Sequence, residues 1–436
     1  SVYGQDNVID EVVWVVGDEA ILKSDVENER LNAQYEGRKF DGDPYCIIPE
    51  QLAIQKLFLH QAAIDSIEVS EQEIISDVER RTNWLIDQIG SKEKVEEYYN
   101  KTSTQIREML RENIRDGKTV QKMQQQIVGD IKITPAEVRR YFKDLPQDSI
   151  PFIPTQVEVQ IITMEPKIPQ EEIERVKKTL RDYTERVTSG EIAFSTLARL
   201  YSEDEGSRRR GGELGFMGRA ELVPEYANVA FNLQDPNKVS KIVESEFGFH
   251  IIQLIEKRGD RINTRHILLK PKVDEKDLEA ALLRLDSIAN DIRNEKFTFD
   301  DAATYISHDK DTRNNHGLMA NPQTGTARFE MQQLAQVSQE AAKMVEGMNV
   351  GEISKPFTMI NAKGKEICAI VKLKTRLNGH KATITEDYQR LKGIVMEKRS
   401  EEKLDKWIRD KQKHIYVRIN EKWQKCDFKY PGWVKK

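Results

Sequence analysis

The sequence predicts an α+β protein with several domains, and three observations support that class. Apolar residues recur at helical spacing through most of the region up to about residue 145, after a short opening hairpin. A pattern of strand, helix, glycine turn and strand then occurs twice between residues 155 and 375. The length of 436 residues exceeds what one hydrophobic core usually supports. The chain is therefore expected to combine a helical part with two similar mixed parts.

Residues 1–154 are predicted to form a helical domain with one small β-hairpin. Two short apolar runs flank Gly17-Asp18, which is typical of a hairpin turn. Ser24 and Glu27 have the spacing of a capping box, so a helix is expected to start there. The proline-rich segment 144–154 ends the helical pattern and predicts a linker.

Some apolar residues of this helical region have two interpretations. Flexible and aromatic side chains tolerate varied partners, so they are suited to a groove for unfolded chains, although such residues more often form core. Both interpretations stay open for Trp84, Ile89, Tyr98, Tyr99, Met109 and Met123.

The last part of the chain, 376–436, is predicted to complete the N-terminal domain. Helical periodicity returns over 385–414, and a strand pattern follows from His414 to Ile419. A lone strand needs a partner, and the N-terminal hairpin is the natural one. Both chain ends are therefore expected to form one folding unit.

This expectation brings two of the three cysteines together. Cys46 lies before an N-terminal helix, and Cys426 follows the C-terminal strand, so the two are expected to approach one another. They form either a disulfide, which an oxidising compartment permits, or two free thiols. Cys368 lies in an apolar run and is predicted to be a buried thiol.

The first mixed part, 155–258, contains the most informative stretch, from Phe194 to Ile252. A short amphipathic helix ends in the polar loop that carries Asp204, and Gly211-Gly212 follows. The stretch closes on a strand, Gly-Phe-His-Ile-Ile, that includes His250. An acidic loop, a glycine turn and a histidine on a strand could converge on one pocket.

This order of features resembles the parvulin family of peptidyl-prolyl cis/trans isomerases. The resemblance implies a domain with a four-stranded antiparallel sheet and surrounding helices, which binds an X-Pro segment. It also implies that the polar side of the site is formed by Asp204, His250 and Gln160, and that the proline ring is contacted by Met217, Leu222, Tyr226 and Phe231. Arg208 and Arg210 either meet a substrate carboxylate or are solvated.

The second mixed part, 261–375, repeats the first and is also similar to a parvulin domain. Its candidate site residues are His266 and Asp309. Parvulins commonly carry two histidines on adjacent strands, whereas the first copy pairs Gln160 with His250 and the second pairs His266 with Ala369. In the second copy the glycine pair and the proline pocket are also altered. We therefore predict weak isomerase activity in the first copy, although the second copy is often the active one in related two-copy proteins.

The order of all four parts resembles the SurA-type periplasmic chaperones with parvulin domains. That resemblance implies a periplasmic folding factor that needs no cofactor and binds unfolded or nascent polypeptides, among them outer-membrane proteins. Two alternatives remain: a holdase whose parvulin modules bind peptide without catalysis, and a membrane-associated foldase for secreted proteins.

The composition adds exclusions to this interpretation. Charged residues make up 32% of the chain, hydrophobic residues 38%, and the formal net charge is −5. Both signs are interspersed, so no nucleic-acid partner is expected. No run of about 18 apolar residues occurs, so no membrane-spanning segment is predicted. The seven histidines lack the spacing of metal ligands, and no metal site is expected.

Overall fold

The structure is a computed structural model and describes residues 10–435. The N-terminal elements are β1 (Val12–Val16), β2 (Glu19–Leu22), α1 (Lys23–Tyr35), α2 (Pro44–Ile64), α3 (Glu71–Ile89), α4 (Lys92–Tyr99), α5 (Ser103–Val128) and α6 (Pro135–Asp144). The next are β3 (Phe152–Ile153), β4 (Gln156–Met164), α7 (Gln170–Thr188), α8 (Phe194–Tyr201), β5 (Glu213–Gly218), α9 (Pro224–Ala230), β6 (Val243–Ser245), β7 (Gly248–Arg258) and β8 (Arg261–Leu269). The remaining elements are α10 (Glu275–Arg293), α11 (Phe299–Tyr305), β9 (Phe329–Glu330), α12 (Met331–Val337), α13 (Gln339–Glu346), β10 (Phe357–Ile360), β11 (Glu366–Leu377), β12 (His380–Lys381), α14 (Ile384–Gln412) and β13 (Val417–Ile419).

The described residues divide into two units, 10–145 with 383–435, and 146–382. In the first unit, β1 lies between β2 and β13, and Trp14 is opposite Ile419. The predicted pairing of the C-terminal strand with the N-terminal hairpin is confirmed. The shared core contains Trp14 and Phe58, which pack with Trp433 near the other end of the chain.

The first helix starts differently from the prediction. Helix α1 begins at Lys23, and the Asp25 carboxylate accepts from the Leu22 N–H at 2.9 Å. The Ser24 hydroxyl instead contacts Asp10. The capping box with Glu27 was therefore wrong, because the N-cap is Leu22, two residues before Ser24, and Asp25 is the third helical residue whose carboxylate caps the helix.

A disulfide joins Cys46 to Cys426 across a sequence separation of 380 residues. The predicted approach of these two cysteines is confirmed, and the bridge is the alternative that the structure adopts. Close by in the chain, the buried Glu50 carboxylate accepts from the backbone N–H of Lys429 at 2.9 Å and from the Trp433 indole at 2.7 Å. These contacts hold the C-terminal segment against α2. Cys368 is buried and free, as predicted.

The second unit contains two four-stranded sheets whose membership differs from the predicted boundaries 155–258 and 261–375. One sheet has the order β5-β8-β7-β6, and the other has the order β10-β11-β4-β9. Strand β4, at the start of the first predicted domain, therefore lies in the second sheet. Strand β8, at the start of the second predicted domain, lies in the first. We call residues 170–269 module 1, and residues 156–164 with 275–377 module 2.

The reason for this exchange is the connection between β7 and β8. Only Gly259 and Asp260 join Arg258 to its partner Arg261. Gly259 has a φ of +61°, in the left-handed region. A two-residue turn of this kind makes consecutive strands neighbours in one sheet. Strand β8 thus occupies the central place beside β7, and β4 pairs with β11 instead. Module 1 is a continuous segment inserted into module 2.

The sheet of module 1 is covered on both faces. Helices α7 and α8 pack against one face, which includes Phe249, Ile251 and Ile267. Helix α9 packs against the other through Tyr226 and its neighbours. Strands β7 and β8 place His250 and His266 on this second face, because side chains alternate along a strand.

Candidate active site

The second face of module 1 carries a chain of polar contacts that starts at Asp204. This residue follows α8, and its carboxylate lies 2.6 Å from His266 Nε2 and accepts from the Ser207 hydroxyl at 2.6 Å. His266 Nδ1 lies 3.0 Å from His250 Nδ1. His250 Nε2 in turn lies 2.6 Å from the Ser245 hydroxyl. The chain thus links one loop, two central strands and the turn after β6.

When both rings are neutral, one proton arrangement satisfies all of these contacts. His266 Nε2–H donates to the Asp204 carboxylate, so His266 Nδ1 is left as an acceptor. His250 Nδ1–H donates to that nitrogen, and its Nε2 then accepts from the Ser245 hydroxyl. The two rings are stacked, with centroids 5.2 Å apart. Each hydrogen bond therefore fixes the tautomer of the next ring.

Burial and charge set the protonation of this chain. Burial raises the pKa of Asp204, but the hydrogen bonds and charge from His266 and the Ser207 hydroxyl outweigh it and hold that pKa well below its usual range. Burial, together with the neighbouring His266, lowers the pKa of His250 to about 3. Asp204 is therefore ionised and His250 neutral near pH 7. Asp204 is also the more exposed partner, since its side chain is 28% exposed and that of His266 only 6%.

An apolar cluster lies beside the polar chain. Tyr226 is buried, and its ring meets those of His250 and His266 edge-on at 5.6 Å. Its hydroxyl lies 2.7 Å from the Thr264 hydroxyl, and burial raises its pKa far above the usual range. The half-buried side chains packed around Tyr226 include Leu214, Leu222 and Phe231. They form an apolar wall, the kind of surface on which a proline ring can pack.

The structure brings most of the predicted site residues together. Asp204 and His250 lie in the polar chain, and Leu222, Tyr226 and Phe231 lie in one apolar cluster. Met217 is half-buried and pairs with Ile262 on the same face of the sheet. Arg208 and Arg210 make local contacts, to Glu205 at 3.1 Å and to the Glu213 carbonyl at 3.2 Å.

Gln160 does not belong to this site, and its assignment was wrong. It lies on β4 in the sheet of module 2, where its amide donates to Asp300 at 2.6 Å and to the His316 carbonyl at 2.9 Å. Asp300 belongs to α11, which packs with α10 on one face of that sheet, whereas α12 and α13 cover the other face. Gln160 is thus in the other module and on the opposite face. His266, predicted for the second copy, takes the position in module 1 because β8 pairs with β7.

The true counterpart of His266 in module 2 is Ile161. The His266 N–H donates to the Gly212 carbonyl at 3.0 Å, and the Ile161 N–H donates to the Gly317 carbonyl at 2.8 Å. A Cβ on either glycine would collide with the strand residue opposite, so both positions require glycine. This match places Ile161, one residue after Gln160, where module 1 has an imidazole.

Module 2 keeps only the carboxylate end of the chain of contacts. The Asp309 carboxylate accepts from the Thr312 hydroxyl at 2.6 Å, as Asp204 accepts from Ser207. Ala369, which is opposite Thr163 in the sheet, takes the place of His250. The surrounding apolar cluster is rich in methionine and includes Met319, Met348 and Met359.

Sequence reasoning missed Ser207, Ser245, Leu214 and the role of His266 in module 1. The signal for His266 was present, because Gly259-Asp260 between two strand patterns predicts a tight hairpin. That hairpin makes β8 the neighbour of the strand that carries His250. Ser245 carried no comparable signal, since its contact with His250 depends on how the turn after β6 folds.

Comparison with known proteins finds matches over most of the chain. The family model for the PPIC-type peptidyl-prolyl isomerase (rotamase) domain matches residues 161–256 and 266–375. The chaperone SurA of Aliivibrio fischeri is 24% identical over 438 residues, which cover 94% of this chain and 92% of that protein. The chain is similar to chaperone SurA over nearly all of its length, and two of its segments match the rotamase domain. The chaperone SurA of Salmonella paratyphi A is 25% identical over 333 residues, which cover 72% of this chain and 75% of that one.

Two solved structures also align with this chain. The foldase PrsA from Streptococcus pneumoniae aligns with 12% identity and a TM-score of 0.26, covering 93% of this chain and 94% of that one. A structure from Campylobacter jejuni described as one of two SurA-like chaperones, PEB4 and Cj1289, aligns with 8% identity and a TM-score of 0.30. That alignment covers 94% of this chain and 99% of the other.

These matches give the general activity of the chain. It is a folding factor of the peptidyl-prolyl isomerase type that binds unfolded polypeptides. The two family-model matches begin within β4 and within β8, the two strands that the structure exchanges. Between residues 10 and 435, no helix has the length and apolar character to cross a bilayer. Over the same residues, no cluster of three or more potential metal ligands occurs.

Proposed function

We propose that module 1 catalyses the isomerisation of X-Pro bonds and that module 2 does not. The observation that carries this proposal is the chain Asp204–His266–His250–Ser245 beside the apolar cluster around Tyr226. Module 2 has an isoleucine and an alanine at the positions of both rings. Its sheet and its Asp309 carboxylate are retained, so it can bind a chain without the groups that act on the amide.

The reaction requires stabilisation of a twisted amide and no covalent step. Conjugation gives the C–N bond of the amide partial double-bond character, so rotation about it has a barrier of about 18–20 kcal/mol. The same conjugation places partial negative charge on the oxygen of the planar amide. The ionised Asp204 carboxylate, held near that oxygen, disfavours the charge-separated planar form more than the twisted one. The contact with His266 holds Asp204 in place and favours its ionised form.

The apolar cluster would hold the proline ring while the preceding residue rotates. Leu222, Tyr226 and Phe231 lie on one side of the polar chain, with Leu214 and Met217 along β5. The Arg219 guanidinium stacks on the Phe231 ring at 4.8 Å and limits its movement. If the proline ring is held against these side chains, the preceding residue can rotate about the X-Pro bond while the ring stays oriented.

The first unit offers a separate place for unfolded chains. A cleft of about 910 Å³ lies among α1, α2, α3 and α5. Its apolar lining includes Trp84, Tyr99 and Met109, and the larger part of its lining consists of charged and amide side chains. Beside it, Tyr98 contacts Tyr35 and Tyr99 edge-on at 5.0 and 4.8 Å. Met123 is only 2% exposed and belongs to the core. We propose that this cleft holds apolar segments of client chains.

We also propose a periplasmic location and outer-membrane proteins among the clients. The support is the similarity to chaperone SurA and the Cys46–Cys426 disulfide, which persists in oxidising compartments. Fractionation of cells that express the native precursor, with the disulfide tested by thiol labelling, examines this. Recovery in the cytosol with reduced cysteines would contradict it, and recovery with membranes would favour the membrane-associated foldase.

The activity is tested by comparing Asp204→Ala with Asp309→Ala in the full chain. In a protease-coupled assay on an X-Pro peptide, Asp204→Ala should lower kcat/KM about 100-fold, since one preorganised charged group has this effect in other enzymes. Asp309→Ala is the matched control and should stay within about twofold of wild type. Wild-type chain without activity would leave the holdase alternative, and equal losses would place catalysis in both modules.

A further inference from the structure

One turn of module 2 lies against the site of module 1. It comprises residues 361–365 and joins β10 to β11. The Asn361 side chain accepts from the N–H groups of Lys363 at 3.0 Å and Lys365 at 2.9 Å. The Asn361 carbonyl also accepts from Gly364 N–H at 2.9 Å. The turn is therefore held by its own hydrogen bonds and presents the Lys363 side chain in a defined direction.

Lys363 forms an ion pair with the turn that follows β6. Its Nζ lies 2.6 Å from the Glu246 carboxylate, and this contact raises the pKa of Lys363. Glu246 directly follows Ser245, whose hydroxyl lies 2.6 Å from His250 Nε2. The Phe247 N–H also donates to the Ser245 hydroxyl, at 3.2 Å. A cation of module 2 is thus one residue away from the last hydrogen bond of the polar chain.

A second contact joins the same turn to the other histidine strand. Lys270 directly follows β8, and its ammonium lies so close to Gly364 that a Cβ there would collide with it. The Lys270 N–H donates to the Glu203 carboxylate at 3.2 Å, next to Asp204. The turn therefore contacts Glu246, which is next to Ser245, and Lys270, whose N–H bonds the neighbour of Asp204.

The position of Ser245 matters because it fixes the tautomer of His250. If the Ser245 hydroxyl donates to Nε2, His250 carries its proton on Nδ1 and donates to His266, which in turn orients towards Asp204. A displaced Ser245 leaves Nε2 without this donor, and the alternative tautomer then places two unprotonated Nδ1 atoms against each other. Ser245, at the end of β6, therefore controls the tautomer of His250 and, through it, the orientation of His266.

We propose that Lys363 of module 2 is a positioning residue for the isomerase site of module 1, acting through Glu246 and Ser245 on His250. This proposal rests on the proposed function of module 1. It gives module 2 a role in catalysis without a catalytic group of its own. Both partners are partly exposed, at 36% and 48%, so the effect is expected to be modest.

The test uses charge reversal in the full chain. Lys363→Glu should lower kcat about threefold to fivefold with little change in KM, because proline binding is unaffected while the site is less well oriented. Lys365→Glu makes the same change of charge on the same turn without an ion pair, and should stay within about 1.5-fold of wild type. Combining Lys363→Glu with Glu246→Lys restores the pair with reversed charges and should recover most of the loss.

A second measurement separates positioning from general stability. The ¹⁵N shifts of the His250 ring report its tautomer, and Lys363→Glu should shift them towards a mixture while Lys365→Glu leaves them unchanged. Unchanged shifts and unchanged kcat in Lys363→Glu would overturn the proposal. If the wild-type chain has no isomerase activity, the proposed function fails, while the ring shifts still decide whether Lys363 positions His250.

Discussion

Modules 1 and 2 are built on the same four-stranded sheet and keep the same acidic loop, yet they differ at two positions of that sheet. Module 1 has His266 and His250 where module 2 has Ile161 and Ala369. The backbone contacts around both pairs are matched within a few tenths of an ångström. The sheet and the acidic loop alone therefore do not make the site. In module 2 no histidine rings link Asp309 to the central strands, as His266 and His250 link Asp204 in module 1.

The comparison also depends on which strand enters which sheet. If β4 paired with β7 and β8 with β11, each module would have one histidine at these positions. In the structure the exchange places both histidines in module 1 and none in module 2. Strand exchange therefore converts two incomplete sites into one complete site and one without rings.

Among the hydrogen-bond partners of Asp204, His266 is expected to have the largest effect. In the full chain, His266→Ala should lower kcat/KM about 30-fold, because the Asp204 carboxylate loses a charge-assisted hydrogen bond. Combined with Asp204→Ala, the losses should be far from additive, since residues in one hydrogen-bonded network act as a unit. His308→Ala provides a control histidine in module 2. Additive losses in the double variant would place His266 outside the site of module 1 and break the comparison.

The next effect concerns pH and is expected only in module 1. The pKa of His250 is about 3 in the folded chain and about 6.5, its ordinary value, in the unfolded chain. Between these two pH values the unfolded chain binds a proton at this ring and the folded chain does not. Stability conferred by the neutral ring is therefore present above pH 6.5 and is lost as pH falls towards 3. From pH 7 to pH 5, this group should lower the free energy of unfolding of module 1 by about 2 kcal/mol.

Replacing the ring by a side chain that does not titrate should remove that slope. The slope is measured by denaturant unfolding of wild type and His250→Asn at both pH values. Because module 1 contains no tryptophan, its unfolding is followed by amide hydrogen exchange of β7. The Ala369→Asn variant is the control in module 2 and should leave the pH dependence of module 1 unchanged. The same slope in His250→Asn and wild type would show that another group accounts for it.

The smallest effect expected is at the hydroxyl partners of the two carboxylates. Ser207→Ala should lower kcat/KM about fivefold, because one neutral hydrogen bond to Asp204 is lost while His266 remains. Thr312→Ala removes the equivalent hydrogen bond to Asp309 and should leave kcat/KM unchanged. Both variants should cost about 1 kcal/mol of unfolding free energy. A fall in activity with Thr312→Ala would show that module 2 also catalyses.

The fold was largely predictable where the signals were local. The hairpin at Gly17-Asp18, the C-terminal strand and the proximity of Cys46 to Cys426 followed from patterning and from the need of a strand for a partner. The individual strands and helices of both modules also followed from the repeat. The carboxylate of Asp204 and the apolar residues around Tyr226 were found through motifs confined to one segment.

The assignment of strands to sheets was not predictable from the repeat. Strands β4 and β8 have similar patterns, so either fits beside β7, and repetition alone favours the order of the chain. The two-residue turn at Gly259-Asp260 decides between them, because it leaves no length for β8 to reach another sheet. The alignment error between Gln160 and Ile161 has a similar origin: a shift by one residue moves a side chain to the other face.

The insertion of module 1 has a consequence for the order in which the chain can be completed during synthesis. Module 1 is a continuous segment, so every strand of its sheet is available once Leu269 has been made. The sheet of module 2 has β4 early and must wait for β11, and the sheet of the first unit must wait for β13. Growth from the N-terminus therefore finishes the innermost part first and the outermost last. Until then, β1 and β4 remain without their long-range partners, and the segments around them are the ones that need protection from aggregation.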